Sequence, residues 1–91
     1  MIIKFKHKGL KELFVKGTSA KIPPDMHKKA IMLLDMLDAA NEANAMNIAG
    51  FEFHQLLGSR KSCYAVSVNK NYRIIFEWED GAVKVNLEDY H

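Results

Sequence analysis

Val83-Lys84-Val85-Asn86-Leu87-Glu88-Asp89-Tyr90-His91 is the stretch around which the chain is organised. Val83, Val85 and Leu87 alternate with Lys84, Asn86 and Glu88, the two-residue period of a half-buried strand. The apolar set then stops and Asp89-Tyr90-His91 follows, three side chains able to carry or hold protons at the last step of a core strand. Such residues would be held in place by the sheet, so the rest of the chain is read as what supports this strand and what faces its end.

Working outward, Asp80-Gly81 is a strong hairpin turn leading back into Tyr72, Ile74, Phe76 and Trp78, which alternate with Arg73, Ile75 and Glu77. Asn69-Lys70-Asn71 reads as a tight hairpin loop in which asparagine can adopt positive φ. Before it, Tyr64, Val66 and Val68 give another strand, and Phe51 to Leu56 alternates as a fourth, with a loop over residues 57–62 between them. Residues 41–50 read as a helix exit and loop. Pro23-Pro24-Asp25 starts a helix, since proline fits the first turn and the acid favours its positive end. Met26, Ala30, Leu33, Leu34, Leu37 and Ala40 form its single apolar stripe, core rather than a cofactor box. Leu10, Leu13 and Phe14 mark a shorter helix ended by Gly17, and Ile3 and Phe5 alternate with Lys4 and Lys6 as a short first strand. The order is β-α-α-β-β-β-β, an α+β domain with helices packed on one face of a mainly antiparallel sheet.

At 91 residues the chain is expected to be one domain, residues 1–91, around one core. Apolar content of 48% with 26% charged residues argues against disorder, and no apolar run is long enough to span a bilayer. The opening residues lack the pattern of a signal peptide, and the one cysteine, Cys63, makes no internal disulfide, so a cytoplasmic setting is expected with Cys63 as a small hydrophobe. The net charge of +2 is unevenly spread: eight lysines against Glu12 and Asp25 precede Ala30, and only acids occur from Ala30 to Glu52. A basic N-terminal third suits a polyanion or an acidic partner protein, although on charge alone a solvated face is the simpler explanation.

No Gly-rich phosphate loop, no Cys/His pair at ligand spacing and no G-x-S-x-G elbow occurs. What remains is His54 near a strand end, Arg60 in the following loop, Arg73 on the strand face of Ile75, and the terminal acid, tyrosine and histidine. An arginine drawn towards a half-buried site normally has an anionic partner. For Arg73 that is either a structural one, such as Asp89, or a substrate phosphate. Metal-free RNA cleavage needs a base for the 2′-OH proton, an acid for the leaving 5′-oxygen and a cation by the non-bridging oxygens. Histidine suits both proton roles and arginine the clamp.

Five runs resemble one family. They are Ile3-Lys4-Phe5-Lys6-His7-Lys8-Gly9-Leu10, Leu34-Asp35-Met36-Leu37-Asp38-Ala39-Ala40, Leu56-Leu57-Gly58-Ser59-Arg60, Val68 to Phe76 (V-N-x-x-Y-R-I-x-F) and Glu88-Asp89-Tyr90-His91. Together they are similar to HigB-type toxins of the RelE/ParE superfamily, the plasmid maintenance system killer proteins. The resemblance implies a RelE-like fold and a type II toxin–antitoxin toxin that inhibits translation by cutting mRNA in the ribosomal A site, with no cofactor and no metal. It implies a helix-turn-helix antitoxin (HigA-like) as partner, operator DNA reached only through that antitoxin, and no membrane. Catalytic positions would fall on His54, Asp89, Tyr90 and His91, with Arg73 at the phosphate and Arg60 and Lys61 facing RNA. Relatives often carry H-P-L-K-G where this chain has His54-Gln55-Leu56-Leu57-Gly58, so Leu57 stands in place of a lysine. A second reading is a non-catalytic superfamily toxin that binds a protein such as gyrase. A third is an inert module that sequesters antitoxin or binds nucleic acid. The His54 and Asp89-Tyr90-His91 set favours the nuclease, since a binder does not need it.

Overall fold

The computed structural model describes residues 1–90. Helix α1 spans Lys8–Lys16 and α2 spans His27–Ala39, the latter entered through a 3-10 turn at Pro24–Met26. Four strands follow: β1 (His54–Gln55), β2 (Cys63–Ser67), β3 (Tyr72–Trp78) and β4 (Ala82–Asp89). They form one antiparallel sheet in the order β1-β2-β3-β4. This is the expected α+β arrangement of helices on a mainly antiparallel sheet. No helix among the described residues is long and apolar enough to cross a membrane.

Each helix end has a local cause. The imidazole of His7 caps α1, its Nδ1 accepting the Leu10 backbone N–H at 3.2 Å. Gly17, at φ +79°, ends α1 and donates its N–H back to the Leu13 carbonyl. The stripe expected on α2 is buried throughout: Ala30 and Leu34 are fully inaccessible, and Met26, Leu33, Leu37 and Ala40 nearly so. With Leu10 and Leu13 of α1 it packs on Val66, Ile74, Phe76 and Val85, so both helices cover one face of the sheet. Phe53, Tyr64 and Phe76 stack in succession along that core, with ring centroids 5.6 and 5.7 Å apart.

The structure corrects four local expectations. Residues 1–6 form no full strand. Instead, Ile2 and Phe5 make single parallel bridges to Ala82 and Val85, along the free edge of β4. Residues 51–56 are strand only at His54–Gln55, because Glu52 sits at φ +53° and breaks the extended run while Phe51 turns into the core. Asn69 is not in the left-handed region. Its Oδ1 shapes the loop instead, accepting the N–H groups of Asn71 and Tyr72, each at 2.8 Å.

The fourth correction concerns β4 itself. The turn from β3 has three residues, since Trp78 pairs with Ala82, and Lys84 at φ +52° forms a bulge that shifts the register between Glu77 and Ile75. Val83 therefore lies opposite Glu77, away from the helices, while Ala82 and Val85 are fully buried beneath them. The apolar alternation of Val83, Val85 and Leu87 does not mark one continuous face.

Candidate active site

The face of the sheet away from the helices carries the candidate site. Leu56, Ala65 and Ile75, with half-buried Cys63 beside them, make a small apolar patch on it, which accounts for Cys63 as a packing residue. In register, His54 pairs with Ala65, which pairs with Ile75, while Ser67 pairs with Arg73, which pairs with Glu88. His54 and Arg73 thus share this face, two strands apart and one side-chain step along. By strand geometry that is about 10 Å across and about 7 Å along.

His54 is exposed, and its Nδ1 lies 2.9 Å from the Glu52 carbonyl oxygen. A carbonyl only accepts, so Nδ1 carries the proton and Nε2 of the neutral ring keeps a lone pair pointed to solvent. The loop between β1 and β2 is closed by the Gln55 side-chain amide, which donates to the Lys61 carbonyl. Its 3-10 turn, Gly58–Arg60, presents Arg60 outward, and Lys61 is likewise exposed. Leu57 is the most accessible large apolar residue in the protein, 90% exposed beside this turn.

Arg73 is the half-buried arginine that the sequence suggested, but the carboxylate it meets is Glu88. Its Nη2 and Nε donate to Glu88 Oε1 at 2.6 and 3.2 Å. Arg60 reaches the same carboxylate from the other side, Nη1 to Oε1 at 3.1 Å and Nη2 to Oε2 at 2.7 Å. Hydrogen bonds from Arg60, then from Arg73, hold the Glu88 carboxyl below the usual carboxylate range and raise Arg60 further. The Tyr90 ring lies over the Arg73 guanidinium, 5.1 Å from its centre, and the Tyr90 N–H donates to the Asn71 carbonyl at 2.8 Å. Asp89, opposite Tyr72, is one step round the strand from Glu88 and faces the helix side of the sheet edge. His91 lies outside the described residues.

Arg60 also borders a depression of about 140 Å³ on this face, with Lys6, Lys84 and Asn86 at its rim and Ile75 and Cys63 within. Sequence reasoning singled out neither Lys6 nor Glu88 as a site residue. Lys6 gave no signal, because only the parallel contact of residues 2–5 with β4 brings it there. Glu88 gave one: counted back from a two-residue turn at Asp80-Gly81, it falls opposite Arg73. The real turn is one residue longer and the Lys84 bulge restores the count. Among the described residues, no three His, Cys, Asp or Glu side chains converge to hold a metal ion.

The family model of a RelE-like toxin of the type II toxin–antitoxin system HigB matches residues 3–91. The chain is 38% identical over 92 residues to a protein of Proteus vulgaris named Endoribonuclease HigB, with each chain covered in full. It is 32% identical over 93 residues to Toxin HigB-1 of Vibrio cholerae, covering all of this chain and 98% of that one. An uncharacterized protein of Haemophilus influenzae is 31% identical over 75 residues, 81% of this chain and 74% of the other. Fold and matches together define a class, the RelE-like toxins of type II toxin–antitoxin systems. Within that class, the chain belongs to the HigB-like toxin family.

Proposed function

We propose that this toxin is a ribosome-dependent endoribonuclease that works without a metal, cutting mRNA in the A site as one domain of residues 1–91. The observation that carries this reading is the arginine pair. Arg60 and Arg73 stand together on one sheet face with His54 on the same face, and a protein similar over its whole length is named an endoribonuclease. RNA needs no external nucleophile, because its own 2′-oxygen attacks the adjacent phosphorus. As the O2′–P bond forms, the 2′-OH proton passes to His54 Nε2, whose lone pair is left available by the Nδ1 contact to Glu52. The P–O5′ bond breaks, and the leaving oxygen takes a proton from His91. Charge growing on the non-bridging oxygens is met by Arg73 and Arg60. Tyr90 holds the Arg73 plane, Asp89 orients the proton donors of the terminal run, and Lys61 faces the RNA backbone.

The chain acts in the cytoplasm and is neutralised there by a helix-turn-helix antitoxin of the HigA type, through which alone it reaches operator DNA. The test is induced expression in a bacterial host with mapping of new mRNA 5′ ends, wild type against His91→Ala. Cuts within translated frames are expected from the wild type and should fall by two to four orders of magnitude in the variant, the usual share of a general acid. Growth arrest without cuts, unchanged by His91→Ala, would replace the nuclease with a toxin that binds a protein target.

A further inference from the structure

We propose that Glu88 is a positioning residue for RNA cleavage: its one carboxylate draws Arg60 from the β1–β2 loop and Arg73 from β3 into a single preformed anion clamp. This rests on the nuclease reading and assigns a role within it to a residue that neither touches RNA nor transfers a proton. The two arginines belong to separate elements, and Glu88 on β4 is the group that contacts both, with four N–H to O distances between 2.6 and 3.2 Å. A guanidinium has five N–H donors and each arginine gives two to Glu88, so three remain on each for a phosphate. Two positive groups against one negative leave the cluster with a net charge of +1. It therefore stays attractive to an anion while the mutual repulsion of the guanidiniums is offset.

The surroundings fix the carboxylate in turn. Glu88 is held by the sheet directly opposite Arg73, and the Tyr90 ring covers the Arg73 face that Glu88 leaves open. A clamp arranged before the substrate arrives need not reorganise in the transition state, which is where fixed donors are worth most. Without the carboxylate, Arg60 loses both of its hydrogen bonds to Glu88, and repulsion from Arg73 swings it from its exposed turn towards solvent.

The test separates turnover from capture. Full-length wild type, Glu88→Gln and Glu88→Asp are compared in single-turnover cleavage of mRNA on programmed ribosomes, over a range of ribosome concentrations, with melting temperatures measured alongside. Glu88→Gln is expected to lower the saturating rate about 10- to 100-fold, while the half-saturating concentration stays level or falls because the site has gained positive charge. Glu88→Asp, which keeps the charge but loses reach, is expected to recover part of the rate. A rate above wild type would mean that Glu88 blocks the phosphate site and would overturn the proposal. So would an unchanged rate, or a rate loss matched by weaker capture and a lowered melting temperature, the signature of a merely structural role. If the wild type itself cuts nothing, the nuclease reading fails and this role with it; a wild type that cuts beside an unaffected Glu88→Gln overturns the role alone.

Discussion

At the scale of single residues, His54 and His7 are set to opposite tautomers by their hydrogen-bond partners. His54 Nδ1 faces a carbonyl and must carry a proton, whereas His7 Nδ1 faces an N–H and must not. Burial, reinforced by the Lys21 ammonium, lowers the His7 pKa from its ordinary 6.5. The unfolded chain then binds a proton that the folded one resists. Stability is fully present above pH 6.5 and is lost as pH falls through the lowered folded value. The melting temperature is expected to drop between pH 7.5 and 5.5. His7→Asn, which keeps an acceptor at the cap, should flatten that slope, and His7→Ala should cost about 1 kcal/mol at pH 7.5. A slope unchanged in His7→Asn would show that another group is responsible. Individual residues were also the hardest to read in advance. Arg73 was identifiable as a half-buried cation, whereas its partner was recoverable only by counting register from Asp80-Gly81, because Asp89 and Glu88 are neighbours.

At the scale of elements, β4 shows why periodicity misleads at one point and succeeds elsewhere. The stripe on α2 was legible because a helix has no way to slip its face. A strand can, with one bulged residue, and Lys84 does this at φ +52°. The left-handed conformation costs a non-glycine residue roughly 1 kcal/mol. Lys84→Gly relieves that and adds flexibility of similar cost, so urea denaturation should shift by less than about 1 kcal/mol. Lys84→Val places a branched side chain where φ must be positive and should lose roughly 2 kcal/mol. Equal effects of the two would mean the bulge is not retained in solution. β1 was overestimated for a related reason: alternating hydrophobicity over residues 51–56 carried no sign that Glu52 takes a positive φ. The shortness that results leaves the outer sheet edge only two residues long, which limits edge-to-edge pairing with other chains.

At the scale of the whole molecule, the sheet separates the core from the residues of the proposed site. The helix side holds the core, and the opposite side holds His54, the Arg60–Glu88–Arg73 cluster and Tyr90. Leu34→Ala, at a fully buried position, should cost about 2–5 kcal/mol of a total near 5–15, enough to lower toxicity by lowering the folded fraction. Glu88→Gln, by contrast, should reduce toxicity with the melting temperature kept. Measuring both properties for both variants checks the division. The α+β class followed from the sequence because helix stripe, turns and alternation agree with one another. The placement of Lys6 was hidden, since it depends on a contact between the two ends of the sequence that no local pattern encodes. That same contact orders events in time. The Ile2–Ala82 bridge cannot form until Ala82 has been synthesised, and the arginine pair has no carboxylate between its members until Glu88 has been made. The two helices can form while the chain is still growing, but the nascent polypeptide emerges with the Arg60–Glu88–Arg73 cluster unassembled. A ribosome making this toxin thus extrudes Arg60 and Arg73 before the group that pairs them.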